Sequence, residues 1–272
     1  MAATLIIRTL GERPLLLGRA VKSALSQSNA EIQVIVVGDG VDPASLLPNF
    51  DDPRLHCIAA QKQGRSAAGN TGLAAATTAF AGFLDDDDEL LPNHVQLLEA
   101  ALSNAPEAVA AYARSEELSV ANKDGDQRIR KRRVRPYRPF SLAELWLSNQ
   151  MPIQAVLFRT EIFHRLGGMD ATLHALEDWD LWLRYAQAGP FIAIAEVTSR
   201  FALPHGKLAM LARSNAHSPA LEYLRVKHAR LAAPMTFSTI QTLNDYLSER
   251  LDDYVSIRYS LRRLWRWLYS GW

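Results

Sequence analysis

Short apolar runs separated by polar breaks set the pattern of the first part of the chain. Leu5-Ile6-Ile7 is continuous and predicts a first buried strand. Pro14 opens a helix in its first turn, where a missing N–H leaves no bond unmade, and Leu17, Ala20, Val21, Ala24 and Leu25 recur on one helical face. The segment from Ile32 to Val37 is β-branched and nearly unbroken, as in a strand buried on both faces of a parallel sheet, and it stops at the turn Gly38-Asp39-Gly40. Leu55 to Ala59 predicts a third strand. Gly64 to Ala76 is small and alanine-rich, the composition of a helix packed closely on a sheet. Phe80 to Leu84 predicts a fourth strand that ends abruptly at Asp85. Leu91, Val95, Leu98 and Leu102 mark the next helix, and Ala108 to Tyr112 a fifth strand.

Strands alternating with helices imply right-handed βαβ units and a mostly parallel sheet, so the fold class is α/β. Ligands bind such sheets outside the carboxyl ends of the strands. Thr9, Asp39 and Asp85 each follow a predicted strand and therefore share one rim. From about residue 115 the pattern changes. Lys123 to Arg138 is polar and strongly basic and predicts a hairpin or a mobile loop; Phe140 to Phe201 is mixed; the chain from Ser214 reads as helical. The division expected is a ligand-binding half over 1–114, a second half over 115–213 and a helical tail over 214–272.

The net charge of +1 over 272 residues gives no general argument for a nucleic-acid partner. Cys57 is the one cysteine, which excludes a disulfide framework and a thiolate zinc cluster; its apolar neighbours predict a buried structural thiol. The start of the chain lacks the basic and long apolar regions of a signal peptide, and no apolar stretch is long enough to span a bilayer, so a cytoplasmic location is expected.

Three segments carry candidate chemistry. Asp85-Asp86-Asp87-Asp88 is a run of mutually repelling carboxylates at a strand end. Hard divalent cations want carboxylate and phosphate oxygen together, and alternate residues such as Asp85 and Asp87 face one side. The plain alternative is a solvated acidic turn. Gly64-Arg65-Ser66-Ala67-Ala68-Gly69-Asn70-Thr71 nearly spells a P-loop, but Asn70 occupies the lysine position. A helix start carrying Arg65 toward a phosphate or base is the alternative, with Asn70 bonding nearby backbone. Glu177-Asp178-Trp179-Asp180 opens a helix whose inner face is Trp179, Trp182, Leu183 and Ala186. Acids suit a helix start, but a carboxylate set against tryptophan and another carboxylate has a raised pKa, as a general base needs.

Taken in order, Leu5-Ile6-Ile7-Arg8-Thr9, Arg13-Pro14, Val36-Val37-Gly38-Asp39-Gly40, Gly64 to Leu73, Phe83 to Asp88 and Glu177-Asp178-Trp179-Asp180 resemble the motif series of inverting glycosyltransferases of family 2, with the GT-A fold. The resemblance covers roughly residues 4 to 205. It implies a Rossmann-like, mostly parallel sheet flanked by helices, followed by the helical tail. The implied activity is transfer of a sugar from a UDP- or dTDP-linked donor to an acceptor hydroxyl, on a glycan or lipid-linked acceptor of surface-polysaccharide or lipopolysaccharide assembly. Thr9, Asp39, Arg65, Asn70, Asp85 and Asp86 would hold the nucleotide. Asp87 and Asp85 would hold Mn2+ or Mg2+, with His205 a weaker ligand. Asp178 would be the catalytic base, with Glu177, Trp179 and Asp180 on the acceptor side. Arg8 stands where that family often has proline, and Gly38 where it often has a second acid. The Gln-x-x-Arg-Trp motif of processive members is missing, which points to one transfer per encounter.

Two basic features remain. The segment 128–138 suits an acidic acceptor or a solvated loop. In the tail, Ile257, Leu261, Leu264 and Leu268 share a helical face, and 253–272 suits a peripheral membrane contact at the inner face, a dimer contact, or packing on its own domain. Two rival readings stand beside the enzyme: a non-catalytic sugar-nucleotide-binding or assembly protein, and a P-loop NTPase.

Overall fold

The computed structural model describes residues 2–28, 31–123, 126–231 and 240–241. Its elements run β1 (Ala2–Thr9), α1 (Pro14–Leu25), β2 (Glu31–Asp39), β3 (Leu55–Ala60), α2 (Arg65–Ala75), β4 (Phe80–Asp85), β5 (Glu89–Leu90), α3 (His94–Asn104), β6 (Ala110–Lys123), β7 (Asp126–Val134), α4 (Leu142–Leu147), β8 (Val156–Arg159), α5 (Thr160–Leu166), α6 (Glu177–Tyr185), β9 (Phe191–Pro204) and α7 (Lys207–Lys227). One sheet has the order β3-β2-β1-β4-β8-β6-β9-β5, with β7 paired to β6. Its first four strands are parallel, as is β6 with β9; β8, β5 and β7 pair antiparallel.

Register makes the rim. Arg8 lies opposite Asp85 on one side and Val37 on the other, and Thr9 lies opposite Gly38. Asp39 closes β2 opposite Ala60 of β3. The carboxyl ends of β1, β2 and β4 therefore finish side by side. Leu5, Ile7, Val34, Val36 and Leu84 pack against Leu17, Val21, Val95 and Leu98 in one core. Each such side chain taken fully from water contributes roughly 1.5–3 kcal/mol. On the opposite sheet face Gly72 of α2 lies so close to β1 that a Cβ there would run into Ile6. The small residues of α2 are what let the helix come that near.

The structure departs from the periodicity reading in several places. Leu91 precedes α3 instead of opening it, because Pro92 disfavours helical backbone at the residue before it. Cys57 is exposed, not buried, since β3 is the edge strand and shows an outer face to solvent. The fifth strand extends past Tyr112 to Lys123; the basic segment forms its antiparallel partner β7, the hairpin of the two alternatives expected. Lysine and arginine along an edge strand also discourage pairing with another chain. Helix α7 begins at Lys207, before Ser214. The amphipathic stretch 253–272 lies outside the described residues.

The chain groups into two compact units, residues 1–140 with 150–229, and 141–149 with 230–272. The predicted halves 1–114 and 115–213 thus contribute strands to one sheet. In the second unit, α4 is capped by Ser141, whose Oγ accepts the N–H of Glu144 at 3.3 Å. Among the described residues no helix is long and apolar enough to cross a membrane.

Candidate active site

The acidic run begins on the last residue of β4, and its side chains divide by alternation. Asp86 and Asp88 are buried, while the side chains of Asp85 and Asp87 keep about a fifth of their surface exposed, 22% and 21%. Asp86 accepts the Thr9 hydroxyl at 2.7 Å and Arg13 at 2.6 Å. Arg13 also pairs with Asp87, and Arg19 donates to the Asp87 carbonyl at 2.8 Å. Asp88 accepts the backbone N–H of Ala202 at 3.1 Å, which ties the run to β9. Burial, together with the charges of Asp85 and Asp87, pushes the Asp88 carboxyl well above its ordinary range. Burial likewise raises Asp86, against the pull of Thr9 and Arg13.

Asp85 behaves differently. Burial pushes its pKa up, but Arg8 and Arg65 outweigh that and hold it at about 2. Arg8 Nη2 donates to Asp85 at 2.5 Å and Arg8 Nη1 to Glu177 at 3.1 Å. Arg65 repeats the arrangement, with Nη2 3.0 Å from Asp85 and Nε 2.8 Å from Glu177. Two arginines and two carboxylates thus close a ring that joins β1, β4, α2 and α6. Arg8 is 5% exposed, lies over the Phe83 ring at 5.6 Å, and leaves its Nε without a partner.

Local backbone aims Arg65. Gly64 caps α2 at φ 95°, which favours glycine. Asp39 accepts the N–H groups of Gln63 at 2.7 Å and Gly64 at 3.1 Å, so the turn after β2 fixes the start of α2. Gly38 cannot carry the acid side chain common at its position, because a Cβ would collide with the Val41 carbonyl.

At α6 the N-cap Leu176 adopts left-handed backbone, φ 60°, a strained choice for a branched residue. It delivers Glu177 into the arginine ring and leaves Asp178 half-buried beside it. Burial and the Glu177 charge raise the Asp178 pKa to about 6, despite Arg65 and the Trp179 N–H at 2.8 Å. Trp179 is buried on the inner face of the helix with Trp182 and Leu183.

Some candidates sit elsewhere in the architecture. Asn70 spends its amide on the backbone of Met169, donating to the carbonyl at 2.8 Å and accepting the N–H at 2.7 Å. These bonds brace the loop before α6, and the backbone engaged is distant in sequence, not nearby. Asp180, expected with the acceptor-side group, is fully buried under Arg184, Lys227 and His228 at 2.8–2.9 Å. It anchors α7 to α6. His205 ends beside β6, its Nδ1 3.0 Å from the Ser119 hydroxyl. The P-loop reading fails on geometry: α2 is helical from Arg65, so no loop remains to wrap a phosphate. Sequence reasoning missed Arg8 and Arg13 as site residues. The one available signal was Arg8 standing in place of a proline.

Asp85 and Asp87 have the oxygen chemistry of a hard divalent site, which commonly takes one or two carboxylates and completes its shell with substrate phosphate, but both Asp85 oxygens are engaged by Arg8 and Arg65. Asp87 keeps Oδ1 without a partner among the described residues. Those residues contain no ready group of three or more ligating side chains.

The glycosyl transferase family 2 model matches residues 4–167. The chain belongs to that family. It is 33% identical over 160 residues to the succinoglycan biosynthesis protein ExoO of Rhizobium meliloti, covering 56% of this chain and 41% of that protein. The chain spans less than half the length of the curated relatives it matches. Among solved structures, S. aureus TarS in complex with UDP-GlcNAc superposes with TM-score 0.61 at 16% identity, over 91% of this chain and 72% of that one. The mannosyltransferase PcManGT of Pyrobaculum calidifontis, in complex with GDP-Man and Mn2+, gives 0.55 at 17% identity, over 99% and 88%. These likenesses establish the fold, a GT-A glycosyltransferase sheet flanked by helices.

Proposed function

We propose that the protein transfers a sugar from a nucleoside-diphosphate donor, UDP- or dTDP-linked, to an acceptor hydroxyl with inversion. The observation that carries this reading is the placement of Asp178 beside Glu177, which Arg8 and Arg65 bridge to the strand-end acid Asp85; burial and the Glu177 charge raise the Asp178 pKa to about 6. Asp178 accepts the proton of the acceptor hydroxyl. That oxygen attacks the anomeric carbon, and the bond to the diphosphate breaks with its electron pair leaving on the phosphate oxygen. The products are an inverted glycoside, a nucleoside diphosphate and a proton on Asp178. Thr9, Asp39 and Asp86 frame the nucleotide end, and Arg65 meets negative charge beside Asp85.

Asp85 and Asp87 would hold Mn2+ or Mg2+, with His205 a weaker ligand. When bound, the ion neutralises charge on the departing diphosphate. Manganese in one structural neighbour supports this choice, although that neighbour carries a GDP-sugar and another a UDP-sugar. A relative named for succinoglycan biosynthesis supports a role in surface glycan assembly, on a glycan or lipid-linked acceptor. The proposed setting is the cytoplasm, at the inner face of the membrane where the acceptor is a lipid.

Asp178→Asn tests the reading. Transfer should fall on the order of 10²–10⁴-fold while UDP binding with manganese persists. Undiminished transfer by the variant would remove Asp178 from the mechanism.

A further inference from the structure

Asp85 has carboxylate chemistry for a divalent ion, yet each of its oxygens already holds an arginine. Arg8 Nη2 donates to Oδ1 at 2.5 Å and Arg65 Nη2 to Oδ2 at 3.0 Å. Both guanidiniums also hold Glu177, Arg8 at 3.1 Å and Arg65 at 2.8 Å. Two cations thus face two anions, and the ring is balanced in charge by its own side chains. A bare divalent cation gains little from a neutral ring, and it reaches an Asp85 oxygen only where an arginine withdraws.

The two arginines are not equally free to withdraw. Arg8 stands on β1 in register with Asp85, its side chain is 3% exposed, and its Nη1 lies 3.4 Å from the Met169 sulfur. The side chain of Arg65 is 47% exposed and springs from the first residue of α2. An exposed side chain of this kind changes rotamer without backbone movement. Its withdrawal leaves buried Glu177 with Arg8 alone, which is unfavourable until Arg65 meets another anion. A diphosphate is such an anion, since its oxygens match both prongs of a guanidinium. Arg13, the cation on Asp87, is less able to leave, because it also holds buried Asp86 at 2.6 Å. Asp85 Oδ2 is therefore the oxygen that Arg65 controls.

We propose that Arg65 guards the acidic run: it blocks Asp85 against a free divalent ion and withdraws onto the donor diphosphate, so that ion and nucleotide are taken up as a pair. The inference rests on the glycosyltransferase reading for the donor, but the block at Asp85 can be tested with the metal alone. Direct contact between ion and phosphate couples their binding in any such site, so the part owed to Arg65 is read from each ligand by itself.

The test titrates the full chain with Mn2+ alone, followed by loss of the free-ion paramagnetic resonance signal, and with UDP alone, followed by calorimetry. Arg65→Gln should bind Mn2+ about tenfold more tightly than the wild type, because a charged hydrogen bond no longer competes for Asp85. It should bind UDP about tenfold more weakly, because the fork is gone. Opposite signs are the signature. An arginine that only contacts nucleotide leaves Mn2+ binding unchanged, and one that only supports the fold weakens both ligands; either result overturns the proposal. Adding Asp85→Asn to Arg65→Gln should erase the Mn2+ gain, and a gain that survives places the ion elsewhere and overturns it too. Arg65→Lys should show both changes at smaller size, since one ammonium cannot fork to Asp85 and Glu177, and it serves where the glutamine variant does not fold. Arg54→Gln, whose side chain pairs with Asp52, is the control and should match the wild type with both ligands. Failure of the wild type to bind UDP with or without Mn2+ would instead defeat the glycosyltransferase reading, and the Mn2+ titrations would still decide the block at Asp85.

Discussion

Arg8 donates to Glu177 across 3.1 Å although 169 residues separate them. Each side chain is 3% exposed. The bond joins the end of β1 to the start of α6, and Asp85 joins the same arginine to the acidic run. The acidic run and the start of α6 are thus held by one guanidinium. In the low-dielectric interior the guanidinium offsets the burial cost of both carboxylates, a task that Arg65 shares.

Replacing Arg8 by methionine should therefore destabilise the fold strongly. Breaking a buried ion pair by removing one partner costs about 3–5 kcal/mol, and the Arg65 bonds to both acids set the expectation at the lower end. Arg8→Lys should fall between, because one ammonium cannot fork to two carboxylates on different elements. Urea unfolding of the three proteins checks this. Equal midpoints for wild type and Arg8→Met would show that the ring adds no stability.

Asp178 gives a pH signature. A base must be ionised, so kcat/KM should fall about tenfold per pH unit below about pH 6. Glu177 is a cause of the raised pKa, after burial, while Arg65 and Arg8 oppose it. Glu177→Gln removes the repelling charge and leaves both arginines acting on Asp178. The acid limb should move to lower pH, by about one unit. The position of the limb is the readout, since the overall rate also falls when the ring opens. A limb unmoved in Glu177→Gln contradicts the electrostatic account.

Asn70 separates a bracing role from a nucleotide contact. Its two bonds to the Met169 backbone predict that Asn70→Ala loses about 1–3 kcal/mol of stability, chiefly through a peptide group left unsatisfied. The folded variant should bind UDP as the wild type does. A large loss of UDP affinity with unchanged unfolding would restore the nucleotide role.

The same residues show what the sequence reveals and what it hides. Continuous apolar runs, β-branched in β2, mark β1, β2 and β4, because strands buried on both faces tolerate little else. The acids stood at a strand end, so chain order alone put them on the rim beside Thr9 and Asp39. Strand β6 stayed hidden past Tyr112: Arg114, Glu116 and Glu117 look like loop chemistry. In the folded sheet Glu116 meets Arg132 at 3.1 Å and Arg200 at 2.9 Å, partners from two other strands. The partners Met169 of Asn70, and Lys227 and His228 of Asp180, stayed hidden for the same reason, since they lie across the fold. Periodicity reports which face a residue takes, not which distant group waits there.

His94 should make the fold acid-sensitive above the range of ordinary carboxylates. It is 1% exposed, with Nδ1 2.8 Å from the Thr198 hydroxyl, and burial lowers its pKa to about 3. An unfolded histidine takes a proton near pH 6.5, so only the unfolded state does so between those values. The contribution of neutral His94 is therefore full above about pH 6.5 and is lost as pH falls, by at most about 1.4 kcal/mol per unit. Asp178, with its raised pKa of about 6, titrates in the same window with the opposite sign. Comparison with His94→Gln cancels that contribution, because Asp178 is common to both proteins. Between pH 6.5 and 5 the wild type should lose about 2 kcal/mol relative to the variant in urea unfolding. Parallel curves would mean that His94 is protonated as readily in the fold as outside it, despite its burial against Thr198.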